Sequence, residues 1–593
     1  MEKSLKKGEF YNKTNIIKQL LNNISSSICM AKWFQVSLHL PQGKTHSCYH
    51  PPAHKIPINE IKLNSSALHN TIEKKEERRK MKEGTRPEGC NFCWNTEDLN
   101  FTSDRHYRAC EYFDLNWAWA QDKLEEINKN PYDYDPKPSY VEVNFNQACN
   151  FKCMYCSPHL SKTWEEEIIE NGPYTLYDRT HNDLRYLDMP ISTAEKDNPY
   201  VNAFWEWLPQ IYNDLRVFRM TGGEPLMDKN TFKMLDYVYK NPHPLLELSI
   251  TSNLCPPDPK LLDKFIEKVN LISSSFDTNF NKVKETNLDL IHVKFYVPNE
   301  DDSIMPHLRK RYLVEESVQG KSILSNLERI SENNINDNFD ETGLDKNTGA
   351  FIYSEYFHKL GNEYISNNYS TKNVMVYISL DSVGNQAEYI RHGLNYETLT
   401  KNIEQLLTNT HNVTISFINT FNILSLPNLK GFLEYILYLR KTYNEEFQKN
   451  NIVKFDHLQH HNFVPKQLIW FDTPYLEYPD WFSIQIIKDY PELIKFIEDA
   501  IVFMEQNVSI SQNSEIKSEH IPGFKLYEVN RMKRNLEWCK LGTNDVDTKM
   551  KNFYTYFKEY DKRKNLSFVK IFPDLENFYN TCKLKYLEDK REK

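Results

Sequence analysis

The stretch Cys149-Asn-Phe-Lys-Cys153-Met-Tyr-Cys156 places three thiols in a single short loop, separated by three residues and then by two. As thiolates they can hold three corners of an iron–sulfur cube and leave the fourth iron without a protein ligand, an open position where chemistry can occur. His159, three residues further on, allows another outcome, because three thiolates and one imidazole also make a zinc tetrahedron. The loop by itself admits both.

The elements around the loop must position it. Tyr140-Val-Glu-Val-Asn-Phe145, directly before it, alternates as a strand does. Leu215 to Thr221 reads as a second strand and runs into Gly222-Gly223-Glu224-Pro225. Glycines at a strand's C-terminal end let a ligand approach the backbone closely, and a glutamate can accept hydrogen bonds from an ammonium group. Leu246 to Asn253, Val374 to Asp381 and Thr414 to Thr420 continue the series, with a sixth strand expected near Ile452 to Leu458. In a parallel barrel their ends share one rim, which gathers Asn253, Ser379, Asp381, Asn419 and Asn422. Taken singly, each of these residues reads as a strand-end turn or helix cap.

The three-cysteine loop, followed one strand–helix unit later by Gly-Gly-Glu, resembles the radical SAM superfamily. The resemblance implies an α/β fold built on a partial (β/α)6 TIM-like barrel. It also implies a 4Fe-4S cluster on Cys149, Cys153 and Cys156 whose open iron chelates S-adenosylmethionine, and reductive cleavage to a 5′-deoxyadenosyl radical. By the same resemblance Tyr155 lies against the adenine, and Gly222, Gly223 and Glu224 bind the methionyl amine. Asn253, Ser379, Asp381 and Asn419 meet the ribose and carboxylate, and Arg391, in a helix opening at Glu388, pairs with the carboxylate. An electron donor such as flavodoxin or ferredoxin is implied. The substrate expected first is a peptide or protein, and otherwise a sugar, nucleotide or small metabolite. A noncatalytic zinc-binding scaffold is the alternative from another class.

A second cysteine set precedes the barrel. Cys29 leads into an alternating run with Phe34, Val36, Leu38 and Leu40 on one face, then the turn Pro41-Gln-Gly43-Lys44 and a return strand bearing Cys48. Cys90-Asn-Phe-Cys93 follows as a knuckle, after a charged segment that Gly84 would end as a helix. Such a set, met alone, is a zinc ribbon. It resembles the twitch domain, a shortened SPASM domain, which implies an auxiliary 4Fe-4S cluster on Cys29, Cys48, Cys90 and Cys93. That module usually follows the barrel. Here it comes first, an order that resembles a phage-type subgroup, as do the phrases Cys-Met-Ala-Lys-Trp33 and Cys156-Ser-Pro-His-Leu-Ser-Lys-Thr-Trp164.

Cys110, Cys255, Cys539 and Cys582 lack ligand spacing and read as buried small hydrophobes; Cys255 alone, just past Asn253, is placed to donate hydrogen to a substrate radical. Clustered thiols, with no apolar leader and no membrane-length apolar run, imply a reducing cytoplasm, the host's if the chain is virus-encoded. A net charge of −9 gives no general attraction to nucleic acid. The basic runs Lys74 to Lys80 and Lys562 to Lys564, laced with acids, read as solvated helix faces. The expected layout is a polar lead-in at 1–28, a twitch-like module at 29–115 and a connector at 116–138. The barrel follows at 139–460, interrupted at 277–372 by a helical insertion, and then a helical, aromatic extension at 461–593 that caps the barrel or contacts substrate.

Overall fold

The structure, a computed structural model, describes residues 13–115, 117–191, 198–243, 245–285, 295–296, 310–311, 373–410, 413–444, 469–508 and 523–592. Its centre is a nine-stranded sheet. We label the strands β1 (Gln35–His39), β2 (Lys44–His46), β3 (His54–Lys55), β4 (Tyr140–Asn144), β5 (Val217–Thr221), β6 (Glu247–Ser252), β7 (Asn373–Ser379), β8 (Val413–Ile418) and β9 (Ile469–Asp472). Across the sheet they lie in the order β9-β8-β7-β6-β5-β4-β1-β2-β3. Every pairing from β9 to β1 is parallel, and β2 and β3 add antiparallel strands at the far edge.

Strand alternation explains which face is covered. Val141 and Val143, Phe218 and Met220, Leu248 and Ile250, Val376 and Ile378, and Ile415 and Phe417 are fully buried and share one face in register. Burying each such side chain contributes about 1.5–3 kcal/mol relative to exposure. The helices Lys229–Lys240, Tyr396–Asn409 and Leu429–Leu439 contribute buried residues to the same core. Two of these helices start at side-chain caps: Asp228 accepts from the Asn230 amide and Asn395 from the Thr398 amide. The opposite face carries Glu142, Arg219, Thr251 and Tyr377, all half-buried. There Arg219 donates to Thr251 Oγ1 at 3.0 Å, lies 3.6 Å from Glu142 and sits over the Tyr377 ring.

Five strands expected in the barrel series are present within a residue or two of their anticipated bounds. The segment expected to form the sixth, 452–458, lies outside the described residues, and the strand that pairs with β8 is β9. Likewise most of the helical insertion expected at 277–372 lies outside them, while the helix Lys260–Glu285 runs past 277. The cysteine-bearing hairpin is part of the main sheet, since β1 pairs with β4 from Gln35↔Tyr140 to His39↔Asn144.

The basic runs are corrected in part: Lys562 faces solvent as expected, but other members do not. Lys74 and Arg78 are fully buried, because the helix Ile72–Lys82 turns them onto the hairpin. Lys74 Nζ donates to Thr45 Oγ1 at 3.1 Å, and Arg78 donates to the Lys32 carbonyl at 3.1 Å and to Asn70 Oδ1 at 2.8 Å. The Lys564 side chain is also buried and pairs with Glu167, and Arg563 donates to the carbonyls of Gly172 and Pro173. These cations secure segments of the chain that are distant in sequence. No helix among the described residues is long and apolar enough to cross a membrane.

Candidate functional site

The chain leaves β4 at Asn144 and reaches Cys149 through a turn held by the end of β5. The amides of Gly223 and Glu224 donate to the carbonyls of Asn146 and Ala148. This contact explains both glycines: a Cβ on Gly223 would fall 2.1 Å from the Ala148 carbonyl oxygen. One on Gly222, whose φ is +111°, would fall 2.1 Å from Asn144 Oδ1. The close approach that the sequence reserves for a ligand is made here by the cysteine loop itself.

Glu224 is buried, and its carboxylate accepts from Ser252 Oγ at 2.6 Å, the Asn253 amide at 2.6 Å and the Leu226 amide at 3.0 Å. Burial pushes its carboxyl up to about 7 against those donors. It therefore ties β5 to the end of β6. Asn253 extends the tie to the loop, donating to Asn150 Oδ1 at 2.9 Å, while Asn150 donates to the Cys255 carbonyl at 2.8 Å. Cys255 is buried beside Asn402, and its thiol is pushed up to about 12 by burial.

On the other side, Lys152–Cys153 pairs antiparallel with Arg391–His392. The helix Gly384–Ile390 ends, rather than begins, at the Glu388-Tyr-Ile-Arg391 phrase, because that pairing draws the backbone out and Gly393, with φ +107°, turns it. The pairing carries Arg391 to the cysteines. Its Nη1 donates to Cys153 Sγ at 3.3 Å and its Nη2 to the Tyr155 hydroxyl. Its Nε lies 2.9 Å from Asp381 Oδ2, close but angled away from hydrogen-bond geometry. Tyr155 in turn donates to Asp381 Oδ2 at 2.7 Å, and Asp381 Oδ1 accepts the Thr420 amide at 2.9 Å. Burial works against the Arg391 charge, but Asp381, Tyr155 and Cys153 outweigh it and keep the guanidinium protonated. Burial lifts the Asp381 carboxyl even beside that cation.

The predicted strand-end residues divide. Asn419 donates to the Asp381 carbonyl at 3.0 Å and keeps a buried Oδ1 without a partner, as Asn144 keeps both of its amide atoms. Ser379 closes β7 on the half-exposed face with Tyr377. Burial raises all three loop thiols, Cys156 to about 12, and neighbouring sulfurs add to the rise at Cys149 and Cys156. Such thiols deprotonate when a metal takes the sulfur.

Two further supports have no motif of their own. Trp164 Nε1 donates to the Cys153 carbonyl at 2.9 Å, and Tyr556 donates to the Met154 carbonyl at 3.1 Å. Tyr556 belongs to the helix Val546–Lys564, so the C-terminal extension packs against the cysteine loop. The phrases containing Trp164 and Tyr556 stand out in the sequence, but nothing in them says what the rings touch.

The second cysteine set also comes together. Cys29, Cys48, Cys90 and Cys93 line one pocket with Lys32 and Arg105. Burial raises Cys29 strongly, and the other three sulfurs raise it further. Lys32 Nζ, itself buried, lies 2.6 Å from Glu77; burial disfavours its charge, but Cys90 and Glu77 more than offset this. Among the described residues, no three His, Cys, Asp or Glu side chains converge tightly enough to hold a single metal ion. Next to Cys48, Tyr49 donates to Glu142 Oε2 at 2.9 Å, joining this set to the polar face of β4.

Fold and site thus define a mixed α/β protein whose parallel strands end at a thiol-rich loop. Curated proteins similar to it include the GTP 3′,8-cyclase of Nautilia profundicola, 29% identical over 145 residues, and that of Sulfurimonas denitrificans, 25% identical over 150. These matches cover 23% and 24% of this chain and 36% of each relative's length, so the chain spans about a third of the relatives it matches. Both relatives are named as enzymes. No family model and no solved structure matches the chain.

Proposed function

We propose that this chain is a radical SAM enzyme with a partial barrel, whose Cys149, Cys153 and Cys156 hold a 4Fe-4S cluster that binds S-adenosylmethionine. The observation that carries the reading is the loop's construction: three half-buried thiols at the C-terminal end of β4, locked by Gly222, Gly223 and the Arg391–Asp381 pair. The residues fit a cluster and a polar ligand. The buried, unpartnered amide atoms of Asn144 and Asn419 would each cost about 1–3 kcal/mol if left so, and a polar ligand at the strand ends relieves that cost.

When bound and reduced, the cluster supplies an electron that cleaves S-adenosylmethionine to a 5′-deoxyadenosyl radical. The chain's own part is to seat the loop, exclude water and orient the ligand. Glu224 holds the β5 and β6 ends in place for this, and Gly222 and Gly223 let the cysteine loop pack against those ends. We further propose that Cys29, Cys48, Cys90 and Cys93 hold an auxiliary 4Fe-4S cluster in a twitch-like module of the phage-type order, reduced by a flavodoxin or ferredoxin. Of the substrate classes open to such an enzyme, the relatives' names favour a nucleotide over a peptide. The half-buried Glu142, Arg219, Thr251 and Tyr377 face supports a polar substrate as well. Anaerobically reconstituted protein with dithionite should form 5′-deoxyadenosine, faster with a nucleoside triphosphate than with peptides. Absence of any cleavage would refute the enzyme reading, and stimulation by peptide alone would refute the substrate class.

A further inference from the structure

Arg391 resembles a ligand for the S-adenosylmethionine carboxylate, yet each of its three guanidinium nitrogens already faces a group of this chain: Cys153 Sγ at 3.3 Å, the Tyr155 hydroxyl and Asp381 Oδ2 at 2.9 Å. Its side chain is 5% exposed and that of Asp381 0%. The position is fixed by backbone as well, through the pairing of Arg391 with Cys153 and the Met154 amide donating to the Ile390 carbonyl at 3.0 Å. A buried cation held this way has little freedom to turn toward an incoming carboxylate.

We propose that Arg391 is a positioning residue that sets the reduction potential of the cluster on Cys153, with Asp381 as its counterweight. The inference rests on the radical SAM reading of the cysteine loop. Reduction brings one electron from a low-potential donor onto the cluster, so negative charge rises at the ligating sulfurs. An N–H donor and positive charge against Cys153 Sγ stabilise the reduced state more than the oxidised one and raise the potential. Asp381, fully buried, pulls the other way by neutralising part of that charge. Tyr155, bonded to both, keeps the pair in register with the loop.

Potentiometric titration of the full-length, reconstituted protein without S-adenosylmethionine, read by electron paramagnetic resonance, tests this. The signal at issue is the one that disappears in Cys153→Ala. Arg391→Gln should lower its potential so that the ratio of reduced to oxidised cluster at a fixed poise falls about tenfold, which is about 59 mV for a one-electron couple. Asp381→Asn should move it in the opposite direction, and Arg391→Lys should fall between wild type and Arg391→Gln. Affinity for S-adenosylmethionine, by equilibrium dialysis, should change less than the potential does. If Arg391→Gln fails to load, the upward shift in Asp381→Asn decides alone. Unchanged potentials, with affinity for S-adenosylmethionine collapsing in Arg391→Gln, would overturn the proposal and restore the carboxylate role. A wild-type protein with no signal dependent on Cys153 would overturn both this proposal and the radical SAM reading.

Discussion

The two cysteine sets reach their sites by opposite routes. Cys149, Cys153 and Cys156 are neighbours in sequence, and what the fold adds is support from far away: Gly223 just past β5, Arg391 beyond β7 and Tyr556 from the helix Val546–Lys564. Cys29, Cys48 and the Cys90–Cys93 knuckle come from three segments, and the fold must assemble the ligands themselves around one pocket. A compact set of three leaves an iron open to a substrate, while four assembled ligands close the coordination and suit electron storage or bracing.

The sharpest way to break this comparison is to delete one member of each set. Cys153→Ala should cut iron from about eight to about four per chain and abolish S-adenosylmethionine cleavage, whereas Cys90→Ala should lose a similar amount of iron and retain uncoupled cleavage. Iron analysis with chromatography of 5′-deoxyadenosine reads both. Equal loss of cleavage in the two variants would contradict the division of labour.

Lys32→Met should leave Glu77 without its buried partner and destabilise the protein by about 3 kcal/mol in urea unfolding. Because Lys32 lines the N-terminal cavity, iron should be lost from that site first.

Glu224 gives a comparable but pH-dependent effect on the loop side. Its folded carboxyl is raised to about 7 from 4.5, so the protonated form favours the fold; this contribution is complete below pH 4.5 and disappears as pH rises through 7. At about 1.4 kcal/mol per unit the swing is about 3.5 kcal/mol, and Glu224→Gln should flatten it in denaturation curves taken from about pH 4 to 8.

Tyr556→Phe is the smallest change. Removing one donor from the Met154 carbonyl should cost about 1 kcal/mol and hasten chelator extraction of iron from the loop site, leaving the N-terminal site as stable as before.

The same contrast explains what could be read from sequence. The strands from β4 to β8 were legible because each alternates and ends in Gly, Asn, Ser or Asp, and the loop because its ligands are contiguous. The buried role of Lys74, Arg78 and Lys564 was hidden, since a charged helix looks solvated until its tertiary partners are known. Arg391 was visible as a conspicuous arginine, but its contact with Cys153 depends on a two-residue strand whose partner lies more than two hundred residues away. The joining of β1 to β4 was equally hidden, because a hairpin carries no mark of the strand it will lie beside.

The central claim is that the loop's cluster, and not the N-terminal one, presents an open iron to S-adenosylmethionine. Electron paramagnetic resonance of reduced, reconstituted protein carrying both Cys90→Ala and Cys93→Ala tests it directly. The account predicts a single 4Fe-4S signal whose shape changes when S-adenosylmethionine is added. A signal indifferent to S-adenosylmethionine, or zinc bound at Cys149, Cys153 and Cys156 in place of iron, would contradict it.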